Sequence, residues 1–133
     1  MTKYDAAMLQ TAETFAKQSQ CKRKQVGAVL ARDGRILATG YNGTLPGKLN
    51  DCECEDGSTS EFVLHAEQNL ISYCARKGIP TEGTTLYITH SPCKTCSKLI
   101  AAVGIISVIF QDYYKDTDGI EFLQDCNISV TKA

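Results

Sequence analysis

The sequence predicts a three-layer α/β/α domain built on a mixed five-stranded sheet. Three observations lead to it. Segments with helical and strand-like periodicity alternate in the order α-β-β-α-β-α-β-α-β. Asp33-Gly34 joins the first two strands, and that dipeptide is a strong signal for an antiparallel hairpin. A helix inside each of the last two connections favours parallel pairing of strands three, four and five, with helices on both faces.

Each element has its own justification. Residues 3–17 place Tyr4, Met8, Ala12 and Phe15 at helical spacing behind Thr2, a suitable N-cap. "KQVGAVLA" and "GRILATGY" are the two strands of the hairpin. Residues 42–60, "NGTLPGKLNDCECEDGSTS", are dominated by Gly, Pro, Asn and Asp and predict a loop, long enough to suggest function or disorder. Residues 63–77 predict a helix with Ala66, Leu70 and Cys74 on one stripe, capped by Gly78 and stopped by Pro80. "TTLYITH" (84–90) is a strand. "SPCKTCSKLIAAVG" predicts a helix with Ser91 as N-cap, Pro92 at its first position and Gly104 past its end. "IISVIF" (105–110) is the apolar strand expected in a sheet covered on both faces. Residues 117–125 predict a short helix and "NISVT" the last strand. At 133 residues, one domain spanning 1–133 is expected.

Composition removes several classes. A chain that is 43% hydrophobic and 22% charged can build an ordinary globular core. A net charge of −1, from 14 basic and 15 acidic residues, gives no positive footprint for duplex nucleic acid but leaves a small anion open. The absence of Trp reduces the stacking platforms for single strands. No apolar run approaches the roughly 20 residues of a spanning helix. The start, "MTKYDAAMLQ", lacks a signal-peptide apolar region, so a cytoplasmic location is expected. In that compartment the seven cysteines read as buried small hydrophobes, metal ligands or reactive thiols ahead of disulfides.

The chemistry concentrates in two stretches, "VLHAEQNL" (63–70) and "SPCKTC" (91–96). Cys93 and Cys96 sit three apart at a helix start, so their sulfurs face one side. A CxxC pair alone fits a metal site, a redox site or chance. Adding His65 makes three N/S ligands, the number that leaves zinc one open position for catalysis. Both stretches lie at predicted helix N-termini, where the dipole stabilises thiolates. HxE followed by PCxxC is the signature of zinc deaminases, in which the Glu, here Glu67, moves protons without ligating the metal. Zinc lowers the pKa of a water it binds from about 16 to about 7.

With these residues in view, the chain resembles the deoxycytidylate (dCMP) deaminases of the cytidine deaminase-like superfamily. The resemblance is carried by "QVGAVLARDGRILATGYNGT" (25–44), "LHAEQNLI" (64–71), "GTTLYITHSPCKTCSKLI" (83–100), "GI" (104–105) and "QDYYKDTDG" (111–119). It is similar, near HAE, to tRNA adenosine deaminases, which typically have LEPC where this chain has HSPC. The resemblance implies hydrolysis of dCMP to dUMP and ammonia. It implies one catalytic Zn2+ on His65, Cys93 and Cys96, with Glu67 as proton shuttle. It implies that the backbone at Ala66 and Ser91 meets the cytosine edge, that Asn42 holds the sugar or base, and that Tyr114 lies near the nucleotide. It also implies a homo-oligomer, commonly a hexamer, and dCTP and dTTP as effectors, with Mg2+ accompanying a nucleotide effector.

Phosphate selection needs cations, and the sequence offers Lys22, Arg23 and Lys24 before the first strand and Lys115 after Tyr114. The chain departs from the family in a short insert before HAE, which carries Cys52 and Cys54, and in Leu45 between Thr44 and Pro46. Cys21, Cys52 and Cys54, with His90 as a fourth ligand, are candidates for a second metal site, although structural zinc requires four ligands. Alternatives remain: dCTP or a 5-substituted dCMP as substrate, a polynucleotide base, a structural zinc module, or a metal-free CxxC redox protein.

Overall fold

The computed structural model describes residues 2–49 and 51–133. Helix α1 (Lys3–Ala16) is followed by strands β1 (Gly27–Arg32) and β2 (Arg35–Tyr41), then two short strands, β3 (Gly43–Thr44) and β4 (Val63–Leu64). Helix α2 (Ala66–Lys77), β5 (Thr85–His90), α3 (Lys94–Ala102), β6 (Ser107–Asp112), α4 (Asp118–Asp125) and β7 (Ser129–Lys132) complete the order. The main sheet has the order β2-β1-β5-β6-β7. β1 runs antiparallel to both β2 and β5, whereas β5, β6 and β7 are parallel. The mixed sheet and its parallel half are as the sequence predicts.

Alternation along the central strands sorts the side chains onto two faces. Val29, Ala31, Tyr87 and Ile109 pack against Met8, Leu9 and Ala12 of α1. Ala28, Leu30, Leu86, Ile88, Val108 and Phe110 face the opposite way, against Leu70 of α2, Ile100 of α3 and Leu123 of α4. One helix therefore covers one face and three cover the other. Two successive right-handed crossovers moving the same way along the sheet place α3 and α4 together. Thr2 caps α1 in a reciprocal box with Asp5, at 3.2 and 2.9 Å. The hairpin turn uses positive φ at both Asp33 (52°) and Gly34 (74°), as a two-residue primed turn requires.

The structure corrects four expectations. Val63 and Leu64 are not helical; they pair with Thr44 and Gly43, so α2 starts at Ala66 with His65 as its N-cap. Helix α3 starts at Lys94, not Pro92, and its cap is Cys93 rather than Ser91, because the Cys93 sulfur accepts the Cys96 N–H at 3.4 Å. The segment 42–60 is partly ordered: β3 pairs with β4 across it, and Glu53 bridges Thr59. Finally, Cys21 and Cys52 form a disulfide, against the expectation of free thiols or metal ligands.

Two close backbone approaches seat the helices that carry the chemistry. A Cβ on Gly40 would lie 2.9 Å from Leu70 Cβ and 3.0 Å from Ala66 O, so only glycine lets β2 touch the first turn of α2. A Cβ on Gly119 would lie 2.0 Å from Pro92 O, so α4 presses its first turn directly onto the turn before α3. No helix among the described residues is long and apolar enough to cross a membrane.

Candidate functional site

A cavity of about 350 Å³ opens at the carboxyl ends of β5 and β6, the usual ligand position in open α/β sheets. Its inner end is formed by the N-termini of α2 and α3. The N-cap backbone of His65 is extended (φ −67°, ψ 159°), so His65 stands just outside the helix while Glu67 occupies its second position. This resolves how residues two apart serve one centre, since only Glu67 obeys helical geometry. Gln68 accepts the His65 N–H at 2.8 Å and holds the turn. Asn69 donates to Tyr41 O at 2.7 Å and ties α2 to the end of β2.

His65 Nδ1 lies 3.6 Å from Cys93 Sγ and 3.3 Å from Cys96 Sγ. All three ligand atoms lie within 4.8 Å of one another. Tetrahedral bonds of about 2.0 Å to nitrogen and about 2.3 Å to sulfur would separate N from S by about 3.6 Å. The donor set therefore fits a zinc ion in both chemistry and spacing. Cys96 is fully buried and Cys93 lines the cavity.

The electrostatics agree with a proton-transfer centre. The Cys93 thiol is pulled down to about 4 by hydrogen bonds from the Cys96 thiol and His65, and by the Cys96 amide. Cys96 shifts the opposite way, first through its side-chain interaction with Cys93 and then by burial. His65 is raised, first by its bond to Cys93. Glu67, 4% exposed, has its carboxyl pushed up to about 7 by burial. A bound dication would pull it back down.

The outer end of the cavity is a basic rim. Arg23, Lys24 and Lys115 line it together with Asn42 and Tyr114. Asn42 clamps the basic segment: its Oδ1 accepts the Val26 N–H and its Nδ2 donates to Lys24 O, both at 2.8 Å. Lys24 and Lys115 both approach the Tyr114 ring, at 5.2 and 5.6 Å from its centroid. Ser91 is buried, and its hydroxyl accepts the Tyr114 N–H at 2.7 Å. Its own N–H donates to Asp112 O at 2.9 Å, which leaves its carbonyl as the backbone group available to a base. Ala66, at the first helical position of α2, lines the cavity beside His65.

The site residues picked out from the sequence line this cavity except Cys96, which is fully buried, and Lys22 and Cys54, which do not border it. Sequence reasoning missed the outer strap. The Cys21–Cys52 disulfide borders the cavity, and Glu53 accepts the Lys22 N–H at 2.7 Å. Cys21, Cys52 and Glu53 form a second cluster of potential ligands, without Cys54 or His90. The two sulfurs are bonded to each other and Cys54 is exposed, which removes the proposed three-cysteine site. Only the CxC spacing hinted at this region.

Residues 2–112 match the profile of the cytidine and deoxycytidylate deaminase zinc-binding region. The chain belongs to that family. ComE operon protein 2 of Bacillus subtilis is 39% identical over 105 residues, covering 76% of this chain and 55% of that protein. The deoxycytidylate deaminase of Mycobacterium phage D29 is 37% identical over 121 residues, covering 80% and 93%. That of Saccharomyces cerevisiae is 34% identical over 138 residues, covering 96% and 44%. The chain thus spans about half the length of the Bacillus relative and less of the yeast one. The dCMP deaminase of cyanophage S-TIM5, in complex with dCMP and dUMP, superposes with a TM-score of 0.96 at 46% identity, covering 100% of this chain and 99% of that one.

Proposed function

We propose that this protein hydrolyses dCMP to dUMP and ammonia, with His65, Cys93 and Cys96 holding a catalytic zinc ion and Glu67 moving the proton. The observation that carries the reading is one cavity with a deaminase donor set and a buried carboxyl at its inner end and three cations at its rim. The likeness to a phage enzyme with dCMP and dUMP bound supports the choice of nucleotide. Zinc, when bound there, supplies an acidified water for attack at C4 of cytosine.

The chain's own residues do the rest. A Glu67 carboxylate oxygen takes a proton from the attacking water and passes it to N3 of the ring. It then takes the second proton, from the new hydroxyl on C4, and delivers it to the amine as the C4–N bond breaks and the C4 carbonyl of dUMP forms, so one carboxyl serves as base and acid in turn. Burial raises the Glu67 carboxyl and a bound dication would lower it, so the two effects oppose each other at the group that must both take and give a proton. The first-turn backbone at Ala66 and the Ser91 carbonyl face the base edge. Asn42 orients the sugar end while holding Lys24 in place. Arg23, Lys24 and Lys115 receive the 5′-phosphate, Arg23 as a planar fork and the lysines as point charges.

Residues 1–133 act in this reading as a single zinc deaminase domain of the cytoplasm. Exposed Leu45, Leu49 and Phe62 around the β3–β4 pair favour self-association, with a hexamer expected by sedimentation. Regulation by dCTP and dTTP, with Mg2+ accompanying the nucleotide effector, forms a separable part of the reading, checked by adding each nucleotide to the assay. The direct test compares steady-state deamination of dCMP, deoxycytidine, cytidine and dCTP. The expected result is the highest kcat/KM on dCMP, with the loss on deoxycytidine mainly in KM. Equal kcat/KM on dCMP and deoxycytidine would remove the phosphate from the recognition scheme.

A further inference from the structure

His90 is a cavity-lining, titratable side chain that the scheme above leaves without a task. It ends β5, three residues before the first sulfur ligand. Its Nδ1 is held by a short hydrogen-bond chain. The Gly27 N–H donates to Thr89 Oγ1 at 3.2 Å. That hydroxyl, in a residue only 4% exposed, lies 3.3 Å from His90 Nδ1. Thr89 Oγ1 accepts from Gly27 and keeps its own hydrogen to donate. With that hydrogen directed at Nδ1, a neutral His90 carries its proton on Nε2.

The surroundings keep the ring neutral. Burial first, and the charge of Lys24 next, hold the imidazole below its ordinary value, with Asp112 opposing them. Lys24 belongs to the basic rim and lies over the Tyr114 ring, and His90 lines the same cavity.

We propose that His90 is a substrate-binding residue whose Nε2–H donates to a phosphate oxygen of the nucleotide beside Lys24. This rests on the nucleotide reading above. The relay Gly27 N–H to Thr89 hydroxyl to His90 presents a neutral, oriented donor that complements the mobile ammonium groups. It adds direction where the lysines add only charge.

The chain has two histidines, so ring resonances can be assigned by comparing wild type with His90→Gln. Long-range 1H–15N NMR of the zinc-loaded enzyme should show His90 as the Nε2–H tautomer, and its Nε2 resonance should move as dCMP saturates the site. An Nδ1–H tautomer, or a ring unmoved at saturation, overturns the proposal. Kinetics give the second readout. His90→Leu should raise KM for dCMP about 3- to 10-fold, with kcat and zinc content unchanged and KM for deoxycytidine unaffected. His90→Gln, which places an amide N–H near the Nε2 position, should return KM to within about twofold of wild type. Equal losses on both substrates overturn the phosphate contact. A wild-type enzyme inactive on dCMP would instead remove the nucleotide reading and leave the tautomer standing.

Discussion

The two ends of the cavity are built by different means. The inner end is rigid: two helix N-termini, each pinned by a glycine contact, aim four side chains into a volume a single ion would fill. The outer end is assembled from separate loops. Asn42 holds Lys24 and Val26, Glu53 holds Lys22, the Cys21–Cys52 bond ties the strap, and Ser91 holds Tyr114. Reaction chemistry needs fixed atoms, whereas recognition of a phosphate tolerates several arrangements of positive charge. The inner end should therefore govern kcat, and the outer end KM.

The largest expected break of that division is Glu67→Gln. It removes the proton carrier but no metal ligand, so kcat for dCMP should fall about 10²- to 10⁴-fold while zinc content by atomic absorption stays at the wild-type level. Loss of zinc in this variant would show that the carboxyl belongs to the metal site rather than to proton transfer.

An intermediate effect is expected at Gly119→Ala. The added methyl meets Pro92 O at 2.0 Å and must push α4 off the cysteine turn. Overpacking of this kind costs about 1–3 kcal/mol, which lowers Tm by about 5–15 °C. If the inner end is as rigid as described, kcat falls with it. An unchanged Tm in calorimetry would mean the contact relaxes freely.

The smallest effect sharpens the outer end. Lys24→Ala removes one of three rim cations and one partner of the Tyr114 ring. KM for dCMP should rise about tenfold, as expected for a lost charge-assisted contact, with kcat within about twofold. A drop in kcat of the same size would erase the distinction between the two ends.

The same contrast explains what the sequence disclosed. His65, Glu67, Cys93 and Cys96 are legible because zinc accepts few residue types, and those types recur at set spacings near helix starts. The parallel strands are legible from "TLYI" and "SVIF", whose apolar runs and intervening helices permit few topologies. The outer strap is not. Cys21 and Cys52 are 31 residues apart, and nothing local signals their pairing. β3 and β4 have two residues each, too short for any periodicity to register. The shift of the α3 cap from Ser91 to Cys93 is illegible for another reason: propensity favours a serine hydroxyl, but tertiary placement gave that hydroxyl to Tyr114. The hydrogen bond from Gly27 to Thr89, beside His90, joins residues 62 apart in sequence, so only the folded chain reveals it.

The account stands or falls on what the zinc-loaded protein does to dCMP. Purified protein should contain one zinc per chain and convert dCMP to dUMP, with ammonia released in equal amount and both lost when a chelator removes the metal. A protein that holds its zinc on His65, Cys93 and Cys96 yet leaves dCMP unchanged would contradict it.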